Sequence, residues 1–137
     1  MRIAVRPSRL VGCVQESHPA HHEVGLRGIG GIIMAQVSQV ANWRPLPEKM
    51  DTFIGQLAKA KGIHERLGAT INVAQTQVGG ETMTVVYMMT FESGATYGAF
   101  IDALAQDTDW QTFWSDAMKS PSADLVSTGL YTAIEGL

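Results

Sequence analysis

His64 is the only imidazole after residue 33, and it falls on the apolar stripe of a helix. Aimed into a pocket, such a ring could serve as a general acid or base, or as an axial ligand. The favoured reading is plainer: a histidine near a helix C-terminus that meets the negative end of the dipole and packs at the margin of the stripe. Asn42 and Trp43 close the first strand, where both could line a pocket mouth. Asn42 could hydrogen-bond a substrate oxygen there, but starting the turn into Arg44-Pro45 is the favoured account. Trp110, Phe113 and Trp114 recur at helical spacing. Such residues are more often core, yet three large aromatics in one short helix can wall an aromatic-ligand cavity. Tyr97 and Tyr131 carry hydroxyls that usually find a backbone partner when buried. His64 and Asn42 are therefore the catalytic candidates, and Trp43, His64, Trp110 and Trp114 the ligand-binding candidates.

Other chemistry finds less support. Asp107, Asp109 and Asp116 lie around a helix break, where capping and solvation account for them. The chain shows no Ser-His-acid order, phosphate-binding glycine loop or HExxH motif. The formal net charge is -3, and Lys49, Lys59, Lys61 and Arg66 are spread among acids, so nucleic acid is not an expected partner. No apolar run approaches the roughly 20 residues that cross a bilayer, so no membrane span is expected. A single cysteine, Cys13, leaves no internal disulfide and fits a reducing compartment, so the cytoplasm is the expected location.

Residues 1–33 read differently from the rest. They hold four of the ten basic residues, three of the four histidines and the cysteine, without helical or strand period. Leu10-Val11-Gly12-Cys13 has the local form of a lipoprotein cleavage site, but the apolar stretch before it is broken by Arg6, Pro7 and Arg9. The His18-Pro-Ala-His21-His22-Glu23 tract could bind a metal adventitiously, with nothing nearby to fix its geometry. The expectation is a poorly ordered extension, or a start codon placed too early with the natural start at Met34. The folded domain is expected over 34–137, and no metal site within it.

Seven elements can be placed in that domain. Ala35 to Trp43 reads as a strand whose imperfect alternation suggests a bulge. Pro47 suits the first turn of a helix, along which Met50, Phe53, Ile54, Leu57, Ala60, His64 and Leu67 form one stripe. Gly68 is a natural C-cap. A second strand, Thr70 to Val78, leads through Gly79-Gly80, a hairpin turn signal, into a third from Thr82 to Phe91. Ser93 can cap the next helix, with Tyr97, Phe100, Ile101 and Leu104 on its stripe. After a break at Gln106-Asp107, Thr108 and Gln111 have capping-box spacing for a short helix ended by Pro121. The last strand runs from Leu125 to Ile134, with Val126, Leu130 and Ile134 on one face.

This order predicts an α+β, ferredoxin-like β-α-β-β-α-β fold with a four-stranded antiparallel sheet. One face of such a sheet carries the helices. The third and fourth strands read as apolar on both faces, so the other face also needs a cover. Leaving Val86, Met88, Val126 and Leu130 wet would forfeit several kcal/mol at about 25 cal/mol per Å². A second copy of the chain is the simplest cover.

Particular residues carry a resemblance to a known group. Thr84-Val85-Val86-Tyr87, the run Tyr97…Phe100…Asp107…Asp109-Trp110-Gln111…Phe113, and Leu125-Val126-Ser127…Leu130-Tyr131 resemble the dimeric α+β barrel proteins. The chain is most similar there to NIPSNAP-like and antibiotic-biosynthesis-monooxygenase-like domains, over about residues 35–134. The resemblance implies two sheets facing each other across a homodimer, with a small-molecule pocket between sheet and helices. It covers cofactor-free monooxygenases, haem-degrading oxygenases, isomerases, stress-response proteins and members without a known reaction, among which fold analogy cannot choose. Haem-degrading relatives place their iron-binding histidine on the second helical region, and residues 94–119 contain none, which argues against haem. The expectation is a homodimeric domain that binds a small apolar or aromatic molecule without a cofactor. The alternatives are a cofactor-independent monooxygenase or isomerase on such a molecule, and a purely structural dimer.

Overall fold

The computed structural model of the chain describes residues 35–79 and 81–137. The expected extension, with Cys13 and its histidines, the proposed start at Met34, and Gly80 lie outside those residues. The described elements are β1 (Val37–Pro45), α1 (Met50–Arg66), β2 (Thr70–Gln75), β3 (Val85–Phe91), α2 (Gly94–Gln106), α3 (Thr108–Lys119) and β4 (Ala123–Thr132). The strands form one sheet in the order β2-β3-β1-β4, every neighbouring pair antiparallel. This is the α+β ferredoxin-like fold that the element order predicts. Among the described residues no helix is long and apolar enough to cross a membrane.

The helices owe their ends to named groups. α1 stops in a Schellman arrangement: Gly68 takes φ 103°, its N–H reaches Glu65 O at 3.1 Å, and Ala69 N–H reaches His64 O at 3.0 Å. α2 begins where Ser93 Oγ accepts Thr96 N–H at 3.1 Å. α3 begins one residue earlier than the capping-box spacing suggests. Asp107 is the N-cap, its Oδ1 accepting Trp110 N–H at 2.8 Å, while Gln111 Nε2 turns back to Ala105 O at 2.9 Å. A carboxylate is at least as good a cap as a threonine hydroxyl, and it also meets the positive end of the dipole.

Pro47 also takes a different role from the one expected. The helix starts only at Met50, and Lys49 N–H closes a turn onto Leu46 O at 3.0 Å. Pro47 and Glu48 are the central residues of that turn, with Glu48 at φ 62°. Proline at the first central position and positive φ at the second define a type II turn, which favours glycine where Glu48 stands. Glu48→Gly is accordingly expected to stabilise the protein by about 0.5–1 kcal/mol, after the glycine's extra chain entropy is subtracted. Urea unfolding at pH 7 checks this, and a lower midpoint for the variant would contradict it.

The β2–β3 hairpin is looser than a two-residue glycine turn. Gly79 does take φ 127°, but Met83 at φ 67° stands exposed and delays the start of β3 to Val85. The connection is closed instead by Thr84, only 1% exposed, whose Oγ1 donates to Glu81 O at 2.7 Å and lies 3.0 Å from Thr76 Oγ1.

The expected bulge sits at Asn42/Trp43, but its extra residue belongs to β4. Asn42 pairs with Ser127 and Trp43 with Leu125, leaving Val126 unmatched. Because side chains alternate along a strand, that insertion changes the face of everything after it. Leu130 pairs with Gln39, which pairs in turn with the core residue Met89, so Leu130 lies on the helix-bearing face at the sheet's edge. It is 55% exposed because the helices do not reach that far. The open face is therefore less apolar on β4 than its alternation suggests. It carries Val40, Val86 and Met88 at its centre and Tyr131 toward the edge. The core on the other face is built from Ala69, Ile71, Tyr87, Met89, Phe91 and Phe100.

Candidate functional site

Between α1, α3 and the sheet lies a cavity of about 110 Å³. Each wall follows from a local pattern. α1 presents Phe53, Leu57, Ala60 and His64 at steps of four, three and four, which keeps them on one face. β1 contributes Trp43, whose ring lies 6.1 Å from Phe53, and β3 contributes Tyr87. α3 lays Trp110, Phe113, Trp114, Ala117 and Met118 over the top, with Trp110 and Trp114 stacked at 5.5 Å. No residue of α3 is fully buried, so this helix covers the cavity without being part of the core. Its first turn is tied down from the other side, where Arg66 bridges to Asp107 at 2.8 Å and to Asp109 at 3.4 Å. Trp110 N–H first, and then Arg66, hold the Asp107 carboxyl below its ordinary value.

The four ligand-binding candidates, Trp43, His64, Trp110 and Trp114, all come together around this space. Asn42 does not. As its neighbour's opposite in the pleat, it points to the open face, where its Nδ2 donates to Ser127 Oγ at 2.9 Å. Sequence reasoning passed over Tyr87, Phe53 and the pair Gln56–Ser122, whose side chains hydrogen-bond each other at the cavity rim. Tyr87 carried a usable signal: a phenol on an otherwise apolar strand face needs a partner, and the domain offers one histidine on an apolar helix stripe.

Those two residues do meet. His64 is 5% exposed, and its Nδ1 lies 2.8 Å from Tyr87 Oη. The imidazole is further enclosed by Trp110 at 4.7 Å and Phe100 at 5.6 Å between ring centroids. Burial lowers the His64 pKa from 6.5 to about 4. The Tyr87 phenol is pushed up, by burial and then by the charge of Glu65. Both groups are thus neutral at pH 7. His64 is no cation for the helix dipole, and the Schellman bonds already occupy the carbonyls at that end.

Hydrogen-bond accounting selects the tautomer. If Nδ1–H donated to Tyr87, the phenol proton and the Nε2 lone pair would both be stranded in the interior. If Tyr87 O–H donates to Nδ1, only Nε2–H is left over. Each stranded polar group costs about 1–3 kcal/mol, so the second arrangement prevails. Nε2 is indeed buried without a partner, and it is the one such side-chain atom among the described residues. In this form His64 is a hydrogen-bond donor with no free lone pair, which suits holding a ligand better than taking its proton.

No protein-family model matches this sequence, and no curated protein does. Solved structures do resemble it. A NIPSNAP family protein of unknown function from Agrobacterium tumefaciens superposes with a TM-score of 0.60 at 11% identity, over 77% of this chain and 93% of that one. An uncharacterised NIPSNAP domain protein from Burkholderia xenovorans gives 0.57 at 18% identity, over 72% and 92%. An antibiotic biosynthesis monooxygenase-like protein from Chloroflexus aurantiacus gives 0.53 at 14% identity, over 74% and 96%. The resemblance read from the aromatic and apolar pattern is thus borne out in the fold. At these identities it speaks to the fold alone.

Proposed function

We propose that this domain binds a small, single-ring aromatic or apolar molecule in the cavity beneath α3, without a resident cofactor, and does so as a homodimer. The observation that carries the binding reading is the cavity itself, a space of about 110 Å³ left open among Trp43, Phe53, Trp110, Phe113 and Trp114. An apolar cleft left unfilled forfeits dispersion contacts that closer packing would recover, which supports a binding role over a purely structural one. Its size supports the ligand class. It approaches the ~150 Å³ of an engineered cavity that takes up benzene, and it falls short of the roughly 300 Å³ at which sites for larger ligands begin. The open sheet face with Val40, Val86 and Met88 at its centre supports the dimer.

The test is a titration of the full chain with toluene, styrene and acetophenone, followed through the indole N–H resonances of Trp43, Trp110 and Trp114. Saturable shifts are expected for at least one compound. Ala117→Phe should place a ring into the space from α3, a helix with room to adjust, and weaken binding at least ~30-fold. Undiminished binding by that variant would show that the cavity is not the site.

A further inference from the structure

We infer that the cavity's ligand carries a neutral hydrogen-bond-accepting oxygen, a carbonyl or ether, that takes the Nε2–H of His64 while its ring lies against Trp110; this rests on the cavity reading above. The polar inventory of the walls leads there. Ser122 Oγ donates to Gln56 Oε1 at the rim, and Tyr87 is engaged with His64 Nδ1. Nε2 alone is buried without a partner, on a residue 95% withdrawn from solvent that lines the cavity. A stranded donor in the interior is expected to have a role or a missing partner. Three rings stand around the imidazole. Nε2 itself shows less than 1 Å² of surface, so an oxygen reaches it only as a neighbouring ring shifts. Phe100 belongs to the core and Tyr87 takes the other nitrogen, which leaves Trp110, half-buried on the covering helix.

The acceptor is neutral because the walls are. The lining contains no lysine, arginine, aspartate or glutamate. A carboxylate entering such a space would shed its hydration for one neutral donor, which is unfavourable. A ketone or ether gives up far less water and satisfies the one group that needs it. His64 is then the specificity-determining residue. Tyr87 positions it by holding Nδ1, which keeps the proton on Nε2.

A matched pair of probes tests this. Acetophenone and α-methylstyrene have nearly the same shape and differ in C=O against C=CH₂. By NMR titration of the full chain, acetophenone is expected to bind roughly tenfold more tightly, with benzoate weaker than both. In the double variant His64→Phe, Tyr87→Phe, which leaves no hydroxyl stranded, the ratio should fall to about one. Because that variant could lose its fold, the wild-type protein supplies a second readout. Nitrogen-15 shifts of His64 should show the Nε2–H tautomer, and its proton should move downfield with acetophenone but not with α-methylstyrene. Equal affinities for the pair, or a proton on Nδ1, would overturn the inference while leaving the cavity reading intact. Failure of both neutral compounds to bind would overturn the reading and the inference together.

Discussion

Acidification from pH 7 to pH 4 is expected to cost this protein about 3 kcal/mol of stability through His64 alone. The figure follows from linkage. The folded-state pKa is about 4 and the unfolded value 6.5, and each unit of difference corresponds to ~1.4 kcal/mol. The sign follows from which state holds the proton. Between pH 6.5 and about 4 the unfolded chain protonates its imidazole while the folded protein does not, so unfolding takes up a proton and falling pH favours it. The contribution is fully present above pH 6.5 and gone below about pH 4. The group is 5% exposed, so solvent does little to screen the effect. Physically, a charged imidazole would sit against Trp110 and Phe100, and its second N–H would oppose the Tyr87 hydroxyl that now donates to it.

Urea unfolding at pH 7, 6, 5 and 4, for wild type and for His64→Gln, measures this. The wild-type curve should drop through that window and the variant's should be nearly flat. Only the difference between the two is interpreted, so the other titrating groups cancel. Asp107 does not imitate the effect. Its carboxyl is held below the usual 3.8 by Trp110 N–H and Arg66, so its contribution is lost under more acidic conditions. Parallel curves would mean that His64 is charged or solvated in the folded protein, and the tautomer argument would fall with them.

The fold was more legible in the sequence than the site, and the difference is one of range. Helix stripes, the Gly68 cap and strand alternation are set by residues a few positions apart, so local pattern revealed them. The misreadings also come from local competition. Pro47 satisfies both a first helical turn and a type II turn, and the chain chose the latter although it forces Glu48 to φ 62°. Asp107 and Thr108 are both good caps, and the carboxylate won. The bulge was visible as broken alternation, but which strand received the extra residue depends on pairing between β1 and β4, whose partners Asn42 and Ser127 are 85 positions apart. That one residue, Val126, turned Leu130 from the open face to the helix-bearing one. The site needed longer reach still. His64 and Tyr87 are 23 positions apart on different elements, and only the packing of α1 on β3 makes their hydrogen bond. Asn42, by contrast, looked suitable by type and lies on the wrong side of the pleat.

Met88→Lys is expected to convert the proposed dimer to a monomer, raising its dissociation constant at least ~1,000-fold. Met88 pairs with Val40 on one side and Asn72 on the other, which places it on a middle strand of the open face, with Val86 two residues before it. A face of four strands at ~4.8 Å and about seven residues at ~3.3 Å covers roughly 440 Å² in plan. Two such faces together approach the ~1,000 Å² of a specific interface once side-chain relief is included. A lysine at the centre of that interface would be buried, and by two-fold symmetry it would be buried twice. Each unpaired ammonium costs several kcal/mol to desolvate, and ~4 kcal/mol already corresponds to a thousandfold in affinity. In the separated protomer the same lysine simply points into water, so the fold itself should survive. Sedimentation velocity at ~10 µM should show a wild-type dimer and a folded monomeric variant. The cavity lies on the far side of the sheet, so the monomer should still bind the aromatic probe. A monomeric wild type, or an undisturbed Met88→Lys dimer, would mean that the open face is covered by something other than a second copy.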